Sequence, residues 1–410
     1  MLGKKLNILF LLYIVFLTGC NEEPPVVPGL TDGSIVIVSE PSGASIIFNN
    51  RETGLFTPAS IENLEPGFYK ISLKLTTYLD TVVYSIVNRN NTDTLVLEMR
   101  ENPEVYWNVF NTLNSDLPIN TVTKVLTAPD GSVWLATGGR GIVNYKNGVF
   151  INYNVGNSGI GDNFIQDLVF SPTGELWIAG SLGIYKFDGS NFVSYTRNNS
   201  NLPDDYVKCL TFDKTGKLWA GTFYGGLVRL DDTGFTVFDT SNSELPNNKI
   251  MALLVDNKGD LIIGTWGSGL VQFNLDSFKV YDSFTFGLVS DYISTLAINT
   301  GGEIWLGYSN VAGIGVGGVG RFFYKGITNY TFRDSDFKAN VVTDIAIAGN
   351  GAVWITSADK GLYKFEGGVW KNYNTLNSGI GYDVAVSIDI DSDNVKWIAA
   401  GGLVRYSGGK

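Results

Sequence analysis

The chain has 410 residues, which is too long for one small core and favours more than one domain. Charged residues make up only 17%, aromatic residues reach 13% and glycine occurs 49 times, a composition typical of all-β proteins with many tight turns. The formal net charge of −11 argues against nucleic acid as a partner, because an acidic surface repels phosphate backbones.

The N-terminus has the features of an export signal. Two lysines precede an apolar run from Leu6 to Leu17, which is too short to span a bilayer because about 20 residues are needed. The ending Leu17-Thr18-Gly19-Cys20 resembles the lipobox of bacterial lipoproteins, whose cysteine is acylated and becomes the mature N-terminus. We therefore expect a signal peptide at residues 1–19 and a membrane anchor through lipid on Cys20. An ordinary signal peptide with an incidental cysteine is the alternative.

Residues 20–33 contain several prolines and predict a flexible tether. The segment Asn21-Glu22-Glu23 resembles the acidic signal that sends some lipoproteins to the cell surface, so we expect the outer membrane or cell surface rather than the inner membrane. Only Cys20 and Cys209 are present, so lipidation of one leaves no pair for an internal disulfide. The stability of the fold must then come from packing. We expect the protein to be a monomer.

Residues 34–99 alternate between apolar and polar side chains in short runs bounded by Pro and Gly, which predicts half-buried strands. The motifs Pro41-Ser42-Gly43-Ala44 and Leu64-Glu65-Pro66-Gly67-Phe68-Tyr69 resemble the PEGA domain over nearly its whole length. The name-giving tetrapeptide differs at one position, and Thr77-Tyr78 stands where the family has Gly-Tyr. The resemblance implies a small surface-associated β-sandwich that serves as a spacer or adhesion module.

A tryptophan recurs through the rest of the chain. It occupies positions Trp134, Trp177, Trp219, Trp305, Trp354 and Trp397, with spacings of 43, 42, 86, 49 and 43. The longest spacing is two periods, with Ile262 at the missing tryptophan, and the spacing of 49 contains an insertion at residues 311–320. Each of the seven units that result has four short strand patterns, which predicts one blade of a β-propeller.

The two ends of this region complement each other. The seventh unit stops at Tyr406 without a fourth strand, and an aromatic strand, Trp107-Asn108-Val109-Phe110, precedes the first unit. We predict a closed seven-bladed propeller over 103–410, in which strand 105–110 pairs with the last blade and leaves no open sheet edge. The fold class is therefore all-β, with the propeller preceded by a PEGA-type β-sandwich.

The units resemble two-component regulator propeller repeats over about residues 103–410. The motif is clearest at Gly216-Lys217-Leu218-Trp219-Ala220-Gly221-Thr222, which is followed by Gly225-Gly226-Leu227. In that family the propellers often form the extracytoplasmic sensor of hybrid histidine kinases. Because the chain contains no histidine, it cannot be the kinase. The resemblance implies at most the part that recognises a ligand.

Aromatic residues cluster in the loops between the second and third strands of units three to five. In a propeller these loops share one face with the links to the next unit. We hypothesise a platform for a glycan or a protein loop, because sugar C–H faces stack on rings. Its residues would be Phe223, Tyr224, Trp266 and Tyr308, with Arg140, Asp205 and Asp291 as polar neighbours. The alternative is that the rings pack against neighbouring loops.

The innermost strands would line a central channel. One polar position reads Lys124, Asp167, Cys209, Ala252, Thr295, Asp344 and Ser387 across the units. We expect a solvated channel with loose ion pairs, in which Lys124 lies near Asp344 and Asp167. The stretch Asp389-Ile390-Asp391-Ser392-Asp393 resembles the start of a calcium loop, but it lacks the glycine and distal glutamate. We interpret it as a turn and expect no metal or other cofactor.

Without histidine, the usual activated serine and cysteine nucleophiles and all imidazole metal sites are excluded. Carboxylate-based glycoside chemistry remains possible in principle, with acids available on the links between blades: Asp204, Asp205, Asp291, Asp334 and Asp336. We favour a non-enzymatic recognition scaffold in the cell envelope. The alternatives are a docking subunit of an envelope complex and, less favoured, a glycoside-active enzyme.

Overall fold

The computed structural model of the chain describes residues 32–231, 234–309 and 316–408. The predicted signal peptide, Cys20 and nearly all of the predicted tether lie outside these ranges. The chain divides into two compact units, Met1–Met99 and Arg100–Lys410. Across the described ranges the only helix is α1 (Pro103–Tyr106), and no helix there is long and apolar enough to cross a membrane. The predicted all-β class is confirmed.

The first unit is a β-sandwich of two sheets. Its strands are β1 (Gly33–Glu40), β2 (Ser45–Phe48), β3 (Arg51–Phe56), β4 (Ala59–Leu64), β5 (Gly67–Lys74), β6 (Thr81–Val87) and β7 (Thr92–Glu98). The sheet orders are β4-β1-β7 and β3-β2-β5-β6, with β1 and β7 parallel. Alternate residues of β1, such as Ile35 and Ile37, are fully buried against Ile71 and Leu73, which is the expected result of period-two alternation.

The second unit begins with α1 and β8 (Trp107–Phe110). The predicted closing strand at 105–110 therefore starts two residues late. Asn102 caps α1 by accepting a hydrogen bond from the Glu104 amide, and Pro103 occupies the first turn. Both features favour a helical turn there, and so Val105 and Tyr106 lie in α1.

The rest of this unit forms seven four-stranded antiparallel sheets. In six of them the strands follow chain order from the channel outwards, and the seventh takes β8 as its outermost strand. The first three blades are β9 (Val122–Thr127), β10 (Val133–Thr137), β11 (Ile142–Lys146) and β12 (Val149–Tyr153); β13 (Ile165–Phe170), β14 (Leu176–Gly180), β15 (Gly183–Phe187) and β16 (Phe192–Tyr195); β17 (Val207–Phe212), β18 (Leu218–Thr222), β19 (Leu227–Asp231) and β20 (Gly234–Phe238).

Blades four to seven repeat the pattern. They are β21 (Ile250–Val255), β22 (Leu261–Thr265), β23 (Leu270–Phe273) and β24 (Phe278–Tyr281); β25 (Ile293–Ile298), β26 (Ile304–Tyr308), β27 (Gly318–Phe323) and β28 (Gly326–Tyr330); β29 (Val342–Ile347), β30 (Val353–Ser357), β31 (Gly361–Glu366) and β32 (Val369–Tyr373); β33 (Ser387–Ile390), β34 (Lys396–Ala399) and β35 (Leu403–Tyr406). The last sheet takes β8 as its fourth strand, with Val404 opposite Val109 and Tyr406 opposite Trp107.

The recurrent tryptophan packs each blade against the next. Trp219 stacks on Phe238 of its own fourth strand and contacts Phe273 of the following blade edge-on. Across the sheet it pairs with Arg229, whose guanidinium lies 5.4 Å from the ring centroid. Where Ile262 replaces tryptophan, the residue opposite is Gln272, and Trp134 of blade one is opposite Asn144.

Candidate ligand-binding site at the channel mouth

The loops that join second to third strands meet the links between blades on one face, as the repeat predicts. The Phe223 amide donates to the Tyr206 carbonyl at 2.9 Å, and the Trp266 amide donates to the Lys249 carbonyl at 3.0 Å. Within each of these blades, the residue after the second strand is therefore hydrogen-bonded to the residue before the inner strand. Side chains at these paired positions surround the opening of the channel.

Five aromatic side chains form a continuous row at this opening, which we call the aromatic ledge: Tyr206, Phe223, Tyr224, Trp266 and Tyr292. Neighbouring centroids are separated by 5.5 Å for Tyr206–Phe223, 4.8 Å for Phe223–Tyr224, 6.4 Å for Phe223–Trp266 and 5.4 Å for Trp266–Tyr292. The outermost ring, Tyr224, is 63% exposed. Because contacts between the rings fix their orientations, a ligand would meet a surface that is already ordered.

Polar side chains under the ledge hold its backbone. The Asp204 carboxylate accepts from the Tyr206 amide at 3.2 Å and from the Tyr224 amide at 2.8 Å. Asn247 accepts from the Lys249 amide at 2.9 Å and donates to the Trp266 carbonyl at 3.1 Å. These bonds link loops of the same blade, so the positions of the rings depend on the scaffold rather than on mobile loops.

The ledge borders a cavity of about 360 Å³ at the channel mouth. Trp266 lines it together with the second residues of several inner strands, among them Thr123, Gln166, Lys208, Ser294 and Thr343. The three hydroxyls donate to backbone carbonyls of the next blade: Thr123 to Ile165, Ser294 to Val342 and Thr343 to Ala385. The lining also includes aliphatic side chains such as Met251 and Val341. A cavity of this size, with one ring and both polar and apolar groups, suits a small ligand or one end of a larger ligand.

Two lysines lie among the rings of the ledge. The Lys208 ammonium is 5.3 Å from the Tyr206 centroid and donates to the Gln166 side-chain oxygen at 2.7 Å. The Lys249 ammonium is 5.4 Å from the Phe223 centroid. Both contacts are within the range of cation–π attraction.

An ion pair also lines this cavity, because Lys124 and Asp344 are among its lining residues. The Lys124 ammonium lies 2.9 Å from the Asp344 carboxylate, which also accepts from the Ser387 hydroxyl at 2.7 Å and the Thr295 hydroxyl at 3.2 Å. Burial alone would lower the pKa of Lys124, but the carboxylates of Asp344 and Asp167 raise it above its ordinary value. The expectation of loose ion pairs was therefore wrong for Lys124 and Asp344, because neighbouring blades supply the remaining hydrogen bonds.

The other channel carboxylates join adjacent blades. Asp167 accepts from the Leu210 amide at 2.9 Å, and Asp389 accepts from the Thr127 amide and hydroxyl at 2.7 Å each. Burial raises the pKa of both carboxyl groups. Asp167 and Asp389 therefore link the inner strands of adjacent blades. Because the Asp389 carboxylate is bonded to Thr127, it does not form a calcium loop with Asp391 and Asp393.

The remaining acids of the calcium-like stretch form a turn. Asp391 accepts from the Asp393 and Val395 amides at 2.9 Å each and from the Trp397 indole at 2.8 Å. Asp213 makes the same bond to Trp219 at 2.9 Å in blade three. Asp391 therefore stabilises a turn of the chain, which agrees with the interpretation of this stretch as a turn.

Tyr308 does not belong to the ledge. Its side chain is fully buried, and its hydroxyl donates to Asn329 at 2.7 Å within blade five. Burial raises the pKa of this phenol. The residue is the last of β26, where side-chain alternation points it into the sheet packing. The sequence hypothesis was therefore wrong in including Tyr308.

Asp205 and Asp291 have a structural role that the sequence hypothesis missed. Asp205 accepts from the Arg197 amide at 2.8 Å, and Asp291 accepts from the Ser283 amide at 2.7 Å and the Ser283 hydroxyl at 2.8 Å. The equivalent residues of other links make the same bond: Asn120, Asn163, Asn248 and Asp383. Repetition in nearly every blade indicates a link-closing residue rather than a specific ligand contact.

Arg140 is exposed in the loop of blade one, two blades away from Phe223. Its amide donates to Thr137 and its carbonyl accepts from Asn152, so its backbone is fixed while its side chain extends outward. The structure therefore does not join Arg140 to the ledge. Of the predicted site, it brings together Phe223, Tyr224 and Trp266.

Comparison with known families supports the two-part architecture. The model of the PEGA domain matches residues 32–102, and the model of the two component regulator propeller matches residues 201–224 and 244–267. The second and third of these ranges lie in the blades that carry the ledge. The chain thus contains a segment that matches the PEGA domain and a seven-bladed propeller in which two segments match the two component regulator repeat. No curated protein matches the chain significantly.

Several solved structures share the propeller. One is the extracellular domain assigned to hybrid two component system BT3049 from B. thetaiotaomicron, with a TM-score of 0.61 and 20% identity over 74% of this chain. This chain covers only 42% of that domain. Virginiamycin B lyase from Staphylococcus aureus has a TM-score of 0.58 and 16% identity, covering 73% of this chain and 98% of the lyase.

A third similar structure is PorZ, a surface component of the type-IX secretion system of Porphyromonas gingivalis. Its TM-score is 0.56 at 14% identity, and the match covers 91% of this chain and 57% of PorZ. At these identities the similarities establish the fold alone.

Proposed function

We propose that this protein is a non-enzymatic lipoprotein of the cell envelope, lipidated at Cys20, whose propeller binds a glycan on the aromatic ledge. The observation that carries the proposal is the row of mutually contacting rings beside a polar cavity of about 360 Å³. Stacking of a sugar on such rings contributes on the order of 1 kcal/mol beyond area burial. The similarity to an extracellular domain of a two component system and the PEGA match support an envelope location.

The chemistry of the site disfavours an enzyme. Of the acids that could act on a glycoside, Asp204, Asp205 and Asp291 accept bonds from backbone amides that they position. Among the similar propellers, a histidine-to-alanine variant of virginiamycin B lyase is catalytically inactive. Because this chain has no histidine, it lacks the residue type on which that lyase depends.

The decisive test is a glycan array probed with the full chain purified in detergent, followed by titration calorimetry on any binder. We expect Trp266→Ala and Tyr224→Ala each to weaken binding by about tenfold, which corresponds to the loss of about 1.4 kcal/mol. Phe284→Ala is the matched control, because its ring is 95% exposed on a link but lies outside the ledge. Equal binding by all three variants would contradict the proposal.

The lipid anchor needs its own experiment. We expect intact-mass analysis of the exported protein to show a chain that starts at Cys20 and carries acyl groups. Cys20→Ala should remove the acyl mass and release the protein from the membrane fraction. Retention of residues 1–19 in the exported wild type would contradict the anchor.

A second candidate is a docking subunit of an envelope complex. It is favoured by the match to PorZ, which spans 91% of this chain, including both units. In that case the ledge would receive a protein loop. Co-purification of a stoichiometric partner that is lost on Trp266→Ala, with an empty glycan array, would favour this candidate.

A further inference from the structure

The charges around the ledge point to a more specific ligand. The carboxylates nearest to the rings are already engaged: Asp204 binds the Tyr206 and Tyr224 amides, and Asp291 binds Ser283. The two ammonium groups contact neutral partners, Gln166 and the Tyr206 ring for Lys208, and the Phe223 ring for Lys249. Within the described ranges, neither lysine has a carboxylate within 4.0 Å.

The polar groups that line the cavity are mostly engaged as well. Two of them are carboxylates: Asp167 accepts from the Leu210 amide, and Asp344 is paired with Lys124. The hydroxyls of Thr123, Ser294 and Thr343 donate to carbonyls of the next blade, so they do not supply donors to a ligand. Lys208 uses one of its three donors on the Gln166 oxygen, which leaves the Gln166 amide nitrogen directed elsewhere. Lys124 also lines the cavity, but its ammonium is paired with Asp344. The donors that lack a carboxylate partner therefore belong to Lys208 and Gln166.

We propose, building on the function above, that the saccharide carries an anionic group, a carboxylate or a sulfate, which the Lys208 ammonium binds at the channel mouth. Lys208 and Trp266 line the same cavity, so one sugar can stack on the indole while its acidic substituent reaches the ammonium. Lys249, beside Phe223, would contact the next acidic residue of an oligomer. Such a charge-assisted hydrogen bond is stronger than its neutral counterpart.

A preference for an acidic saccharide would be confined to the channel mouth. The chain as a whole is acidic, with a net charge of −11, and would repel an acidic polysaccharide over most of its surface. In the part of the chain that the structure describes, Lys208 and Lys249 form no salt bridge, and they would provide the local attraction for an anionic group at the mouth. Ionic strength should weaken this attraction, because exposed charges are screened by salt.

The test compares oligogalacturonides with their methyl esters, and sulfated chondroitin oligosaccharides with desulfated ones, on the full chain. We expect one acidic member to bind about tenfold more tightly than its neutral partner, with a preference that decreases in high salt. Lys208→Gln should abolish this preference and Lys208→Arg should retain it. Lys279→Gln is the matched control, since its ammonium lies 4.7 Å from the Tyr281 ring centroid on an outer strand.

The outcomes separate this inference from the function on which it rests. If neutral and acidic members bind equally and Trp266→Ala weakens both, the ledge binds saccharide but the inference is overturned. A preference that survives Lys208→Gln also overturns it. If only neutral members of the glycan array bind, the inference alone is overturned. If no member of the array binds, both the proposed function and the inference are overturned.

Discussion

The indole of Trp107 stacks on the phenol ring of Tyr406, with 4.0 Å between centroids and 19° between planes. These residues also oppose each other in the β8–β35 ladder. The Tyr406 hydroxyl donates to Glu101 at 2.6 Å, upstream of the same strand. The N-terminal and C-terminal ends of the propeller are therefore joined by backbone pairing, ring stacking and a charge-assisted hydrogen bond.

We expect Trp107→Ala to lower the free energy of unfolding by about 3–5 kcal/mol, since truncation of a buried tryptophan leaves a cavity. The loss falls where the ring closes, so the unfolding transition should also become less cooperative. Urea denaturation followed by tryptophan fluorescence and circular dichroism measures both effects. Leu113→Ala, at a side chain 93% exposed, is the control, and an equal effect of the two changes would contradict closure at this point.

The channel ion pair is expected to stabilise the ring. Asp344→Asn leaves the Lys124 ammonium without its nearest carboxylate. We expect a loss of about 1–3 kcal/mol in the free energy of unfolding, because the Lys124 side chain is 28% exposed and keeps part of its hydration. The double change with Lys124→Met should recover most of this loss, because it removes the unpaired charge. A double-mutant cycle of urea unfolding measures the coupling.

The exposed pair Lys146–Asp130 provides the contrast. Its ammonium and carboxylate are 2.7 Å apart, but both side chains are about half exposed. Asp130→Asn should therefore change the stability by less than about 1 kcal/mol. If it destabilised the protein as much as Asp344→Asn, burial would not explain the channel pair.

The burial of Lys396 leads us to expect that the free energy of unfolding increases with pH. It is fully buried at a position where other blades have Leu218, Leu261 or Ile304, and it donates to the Gly408 carbonyl at 3.0 Å. Burial, with a contribution from Lys364, lowers its pKa from 10.5 to about 8. Between these values the unfolded chain holds the proton more tightly than the native protein, so stability should increase from pH 8 to pH 10.

Lys396→Met should remove this increase. It should also raise the free energy of unfolding at pH 7 by about 1–3 kcal/mol, because this position then buries no charge. The measurement is urea unfolding of both proteins at several pH values, with their difference taken at each pH. Taking the difference cancels the titration of the tyrosines. A constant difference from pH 7 to pH 10 would show that Lys396 does not titrate in this range.

At the link-closing position of blade three, we expect alanine and asparagine to have different effects on stability. Asp205→Ala should lower the free energy of unfolding by about 0.5–1.5 kcal/mol, because it removes the hydrogen bond to the exposed Arg197 amide. Asp205→Asn should be nearly neutral, since Asn120, Asn163 and Asn248 make the same bond. Thermal unfolding measures both. A ligand affinity that falls equally in the two variants would instead return Asp205 to the binding site.

Much of the candidate site could be predicted from loop position, but not its full membership. Phe223, Tyr224 and Trp266 were identified because they interrupt otherwise small and polar loops. Lys208 and Lys249 were missed, although their positions follow from the repeat, next to the first buried residue of an inner strand. Tyr308 was wrongly included because one residue along a strand reverses the direction of a side chain.

The amino-acid sequence by itself determined the number of blades, the closing strand and the PEGA domain, because hydrophobic periodicity and the spacing of tryptophans are local and repeat along the chain. Only the tertiary structure decided which polar groups remain free to bind a ligand. Asp291 and Lys208 are both charged residues near the mouth, but Asp291 is engaged by Ser283 whereas Lys208 has only neutral partners. Such pairing depends on contacts between segments distant in sequence, which no local pattern records.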